Sequence, residues 1–245
     1  MHASLLEEYR KDVERIFGQD LVSLTVYGGR AEDEPAPGAE AAVLIVVREL
    51  SRPALEGYHD IAHRYARRGI PAPPIFTEAF LRESADVFPL EYLGIAEKRR
   101  ILAGRDVIAD LPITTTHLRH QVEFELKGKL LSMRRMYMQT FGEKELARLL
   151  LATVGPLVSV ARGLLLLADR VPGASPAGAP HDKEEIVAEI EKRFAVSLHA
   201  IREVLAAKRA GTMSASRAGE IFFPYLEEAD RLCSLSDRFP AGDGD

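Results

Sequence analysis

The sequence predicts an α/β unit followed by an all-α unit, and three observations carry that expectation. Two short runs rich in β-branched residues, Leu21 to Tyr27 and Ala41 to Val47, are interleaved with helical patterns in the first half. Strand patterns stop by about Thr116. Beyond it apolar residues recur every three or four positions through long segments, as they do when helices pack on helices.

The elements follow in order. Leu5, Leu6, Tyr9, Val13, Ile16 and Phe17 mark one face of a helix that Gly18 ends, and LVSLTVY alternates as a half-buried strand. Gly28 and Gly29 make a turn. A polar loop with Pro35, Pro37 and Gly38 leads into AAVLIVV, apolar on both faces and therefore central in its sheet. Ala54 to Arg68 reads as a helix closed by Gly69, and DVFPLEYLGI as a further strand, kept to a sheet edge by Pro89. In the second half Leu118, Val122, Leu126, Leu130, Met133 and Tyr137 mark a long helix. Leu146 to Leu167 forms another, bent at Gly155-Pro156, and the apolar run within it, Leu149 to Ala168, reads as a buried helix pair rather than a membrane span. VPGASPAGAPHD is a linker, Lys183 to Arg209 a charged amphipathic helix, and Ser214 caps a last helix running to about Leu235. The expected domains are 1–112, mixed α/β, and 113–238, an antiparallel helical bundle, with 239–245 a frayed tail.

With 245 residues, 47% hydrophobic and 28% charged, the chain can bury a large core. A net charge of −5 argues against a broad nucleic-acid or membrane surface. One cysteine, Cys233, excludes a disulfide framework and suits a reducing cytoplasm, and the acidic, amphipathic N-terminus lacks the pattern of a signal peptide.

The strand, the Gly-Gly turn, the loop and a second strand that opens on a carboxylate resemble the minimal nucleotidyltransferase superfamily, in its small bacterial form related to kanamycin nucleotidyltransferase. From PPIFTEAFLRESADVFPLEYLGIAEKRRILAGRDV to HLRHQVEFELKGKLLSMRRMY the chain also resembles an uncharacterised bacterial group in which such a domain precedes a helical one. The resemblance implies a mixed sheet with flanking helices followed by the helical bundle. It also implies a site built on Gly-Ser at the turn, Asp-x-Asp on the next strand and a third carboxylate later. Two carboxylates two residues apart on a strand share a face, so they hold the Mg²⁺ ions that bridge nucleotide phosphates. Here Gly28 matches the glycine, Gly29 stands for the serine, Glu40 for the first aspartate and Ala42 for the second. Glu91 is the candidate third ligand, with Asp86 behind it. The catalytic and metal candidates are thus Glu40 and Glu91, with Gly28, Gly29 and Arg30 against the nucleotide and Mg²⁺ with a nucleoside triphosphate as cofactor.

Because Ala42 offers no oxygen and Gly29 no hydroxyl, the motif is degenerate and the expected function is a pseudoenzyme-like module, cytoplasmic, that binds a nucleotide, a second copy of itself or a protein partner. The alternative is an active Mg²⁺-dependent transferase that moves a nucleoside monophosphate from a triphosphate to an acceptor, using Glu40 and Glu91. A third class rests on Arg193 to His199, whose Arg-x5-His spacing resembles helical HEPN ribonucleases. Plainer roles compete throughout: Glu32, Asp33 and Glu34 as a solvated loop, His117 and His120 as surface or capping residues around Arg119, and Lys127, Lys129, Arg134 and Arg135 as a solvated helix face.

Overall fold

The computed structural model describes residues 2–28, 42–171 and 178–240. The chain forms two compact units, Met1–Ile113 and Thr114–Asp245.

In the first unit α1 (His2–Phe17) ends where Gly18 turns left-handed, and β1 (Leu21–Tyr27) follows. Next come β2 (Ala42–Val47) and α2 (Arg52–Ala66), the latter capped by Ser51, whose hydroxyl accepts the Ala54 amide. Then follow β3 (Ile75–Thr77), α3 (Glu78–Glu83), α4 (Pro89–Glu97) and β4 (Arg99–Gly104). The sheet is mixed, ordered β3-β2-β1-β4, with β1 antiparallel to β2 and β4 and β2 parallel to β3. β2 is interior, as its two apolar faces require. Val43, Ile45 and Val47 pack with α1 and α2, whereas Leu44 and Val46 pack with Leu81, Tyr92 and Ile95 from α3 and α4. Alternation of side chains assigns Ala42 to the α3/α4 face.

One expected strand is a helix. Asp86 to Ile95 carries most of α4, because Pro89 occupies the first helical turn, where its missing N–H costs nothing and its fixed φ suits a helix. The strand lies further on, over Arg99–Gly104.

The second unit holds α5 (Thr115–Met138), α6 (Glu143–Ala168), α7 (Lys183–Phe194), α8 (His199–Ala210) and α9 (Ala215–Ser236). α6 is one continuous helix through Pro156 rather than a pair. It meets the length and composition of a membrane span, yet most of that apolar stretch is buried against α5, α7, α8 and α9. The single helix expected over Lys183 to Arg209 is two, because Ala195 turns left-handed at φ 53° and ends α7. The expected cap is present: the Ser214 hydroxyl accepts the Arg217 amide at 3.2 Å. Phe239, assigned to a frayed tail, is buried with its ring 6.1 Å from that of Phe194. All strands among the described residues precede Thr116, and helices fill the rest.

Candidate functional site

At the end of the sheet where β1 leaves and β2 enters, Tyr27 pairs with Ala42 on one side and with Arg99 on the other. Gly28 continues from Tyr27 with φ +74°, and its amide donates to the Lys98 carbonyl at 3.0 Å. The turn is thereby tied to the start of β4. A β-carbon at Gly28 would meet no atom within 4 Å, so the glycine is required by backbone conformation rather than by space. Gly29, Arg30, Glu40 and the acidic run Glu32 to Glu34 lie outside the described residues.

The α3/α4 face of this sheet end carries hydroxyls and one arginine. Ser23 and Thr25 are fully buried and share a hydrogen bond of 3.0 Å, and burial raises the Tyr27 phenol above its ordinary range. Arg99, which opens β4 opposite Tyr27, is the cation of this face, while Lys98 closes α4 just before the strand and Arg100, opposite Val26, takes the other face. Arg99 grips Asp106 through Nε and Nη2, at 3.0 and 2.6 Å from Oδ2, and also donates to the Ala96 carbonyl. The Arg99 hydrogen bonds hold the Asp106 carboxyl below its usual range, aided by the amides of Ile108 and Ala109, which donate to Oδ1. Sequence reasoning passed over this carboxylate. Its signal was an Asp two residues before a turn amide, an Asx-turn pattern in GRDVIAD.

Glu91 is exposed and stands in the first turn of α4, where a negative side chain complements the helix dipole. At 1.5 Å rise per residue it lies roughly 9 Å along the axis from Glu97, the α4 end nearer the Gly28 turn. Asp86 is exposed in the turn between α3 and α4. Neither β3 nor β4 contains an acidic residue. Glu78, just after β3, pairs with Arg105 and Arg82. It follows the Thr77 that pairs with Val47, so it stands at the opposite end of β2 from Ala42. Among the described residues no three His, Cys, Asp or Glu side chains group as metal ligands.

The bundle's candidates are mostly committed to its own packing. Arg193 binds Asp169 at 2.6 Å, Glu189 at 2.7 Å and the Gly178 carbonyl, while His199 is exposed at the start of α8. Lys127 pairs with Glu123 and Asp237, Lys129 with Glu125, and Arg134 with Asp230. Arg119 pairs with Glu123, His120 is exposed, and the His117 amide is capped by Thr114.

No family model and no curated protein matches the chain. Among solved structures it is similar to spectinomycin adenyltransferase AAD(9) from Enterococcus faecialis, crystallised with ATP and spectinomycin. The TM-score is 0.57 at 11% identity, over 96% of this chain and 99% of that one. At that identity the likeness speaks for the fold, and the chain has the nucleotidyltransferase-like fold: a mixed four-stranded sheet with flanking helices, then a helical domain.

Proposed function

We propose that this chain binds a nucleotide at the Gly28 turn and has lost metal-dependent transfer. The observation that carries the reading is Ala42, a methyl group on the sheet face and at the strand end where a second carboxylate would have to project. The donors do not fit a two-metal centre: one candidate strand ligand, Glu40, an alanine, and neighbouring strands without acids. Phosphoryl transfer in this fold rests on positioning and on neutralising phosphate charge, so such a loss falls on catalysis. If the metal supplies about 4 kcal/mol, its loss slows transfer roughly a thousandfold.

Phosphate binding can outlast that loss. The turn glycine keeps its left-handed conformation, and Arg99, on the sheet face of Ala42 and paired with Asp106, is flanked by Lys98 and Arg100 near the turn, which adds positive charge as a metal-free means of meeting a triphosphate.

Titration calorimetry with ATP and GTP, with Mg²⁺ and with EDTA, tests the reading. The parent chain should bind one of them with an affinity that changes less than about threefold with Mg²⁺, and Lys98→Glu with Arg100→Glu should abolish the heat. The double change Gly29→Ser and Ala42→Asp should make binding metal-dependent. Absence of nucleotide binding in the parent refutes the binding half. Steady Mg²⁺-dependent pyrophosphate release that disappears in Glu40→Gln refutes the loss of transfer and establishes the active enzyme, with Glu91→Gln then deciding the third ligand.

A further inference from the structure

The outward face of α5 carries an apolar stripe with no cover. Phe124, Leu131 and Met138 are 79, 63 and 74% exposed, and seven-residue spacing sets them on nearly one meridian of the helix. The buried side chains of the same helix, Leu118, Val122, Leu126, Leu130 and Met133, take the opposite face. Beside the stripe's C-terminal end Phe141 is 92% and Phe223 55% exposed, and a groove of about 640 Å³ opens there, one half of its wall apolar, with Met138 and Phe223, and the other half charged, with both signs present in Arg134, Glu227, Asp230 and Arg231.

We infer that this stripe is the interface of a two-fold homodimer in which α5 packs antiparallel on α5 of a second copy, centred on Leu131. Spacing favours a second copy over another partner. A stripe of three residues evenly spaced about its middle member is self-complementary under a two-fold axis, so Leu131 meets Leu131 and Phe124 of each copy meets Met138 of the other, at the mouth of the groove. Area favours it too. Three exposed phenylalanines, each of about 150–250 Å² in full, together with Leu131 and Met138 supply a large part of the roughly 800 Å² each partner gives a standard interface.

Charge does not oppose the pairing at the flanks. Lys127 is neutralised by Glu123 and Asp237, and Arg134 by Asp230, so those two cations do not meet their counterparts bare. Arg135 of one copy crosses near Gly128 of the other, where a β-carbon would find nothing within 4 Å and the long side chain has room.

Light scattering behind gel filtration and sedimentation velocity on the full chain test this across the micromolar range. The parent should run as a dimer, and Leu131→Asp, at an exposed position that leaves the fold intact by circular dichroism, should raise the dimer dissociation constant roughly a thousandfold, since one substitution removes a central contact from both copies. Cross-linking fixes the geometry without loss of packing. Leu131→Cys should oxidise to a covalent dimer, whereas Phe124→Cys should not, because its two copies stand fourteen residues apart, roughly 21 Å. Cys233 stays silent: it is buried, and burial pushes its thiol up to about 11. A monomeric parent overturns the inference, including one that instead sediments with anionic vesicles or needs a different protein to cover the stripe. Cross-linking at Phe124→Cys overturns the antiparallel pairing.

Discussion

Replacing Glu228 by leucine should unfold the bundle's second half more readily than any surface change. Glu228 is a buried carboxylate on α9, and it accepts the amides of Ala200 at 2.9 Å and Ile201 at 2.8 Å. Those amides belong to the first turn of α8, whose N-cap Leu198 has no side-chain oxygen to offer, so α9 caps α8 from outside. A hydrogen bond to a charged group contributes about 1.5–3 kcal/mol net, and two of them total about 3–6 kcal/mol. Cost of burying the charge offsets part of this, but leucine also leaves two buried N–H groups without acceptors, so Glu228→Leu should lose about 3–5 kcal/mol. Glu228→Gln keeps one acceptor oxygen and turns an NH₂ towards the second donor, so about 2 kcal/mol is expected. Against the usual 5–15 kcal/mol of a domain, the leucine variant should be marginal. Urea denaturation followed by far-ultraviolet circular dichroism and tyrosine fluorescence measures both, the chain having no tryptophan. A loss below about 1 kcal/mol in the leucine variant, at unchanged m-value, refutes the argument, because it would mean water serves the α8 amides as well as the carboxylate does.

Two further outcomes follow from the first unit. Gly28→Ala should cost about 1–2 kcal/mol through the left-handed backbone alone, since the side chain meets no clash, and Gly28→Asn clearly less; equal urea midpoints for all three chains would show that the turn does not hold φ +74° in solution. Asp106 is held ionised by Arg99, so its folded carboxyl titrates below its unfolded one; its stabilisation is full above the unfolded value of about 4 and is lost as pH falls through the lower folded value. Asp106→Asn should flatten stability against pH below about 5, and an unchanged acid limb would remove the ion pair from the account of this unit.

Legibility in the sequence varied with how many physical signals agreed at a site. β1 and β2 could be read to within a residue because β-branched content, alternation or full apolarity, and a flanking glycine point the same way. α4 could not. A short apolar run reads equally as a buried strand or a buried helix, and of the deciding pair, Pro89 reads as the mark of an edge strand and Glu91 as a candidate ligand rather than as a first-turn carboxylate. β4 hid behind three leading cations. The break at Ala195 is not announced by the residue itself, which is neither glycine nor asparagine; it is held by the Leu198 amide on Glu191 across the turn and by the α8 amides on the distant Glu228. The site divides in the same way. Gly28 announced itself by its turn chemistry, whereas the Arg99–Asp106 pair joins two residues whose meeting depends on the chain doubling back after β4.

Under the proposed function, that division would let a transfer site lose its chemistry and keep its outline. Val43 to Val47 are buried on both sides of the sheet, so the position of β2 is set by five apolar side chains and their packing on α1 to α4. Ala42 sits at the strand's end and is only partly buried, so exchanging a carboxylate for a methyl there perturbs no core contact and should change stability by less than about 0.5 kcal/mol, the range of ordinary surface substitutions. On the proposed reading the same exchange would remove an entire metal ligand. Selection on folding would then be nearly blind to residue 42 and selection on transfer acutely sensitive to it, so an alanine there fits a chain in which transfer is no longer selected. In the repaired chain Ala42→Asp should fold as well as the parent, so any failure of the double variant to bind Mg²⁺ and a triphosphate would count against pairing Glu40 with position 42 as ligands and could not be blamed on a damaged sheet.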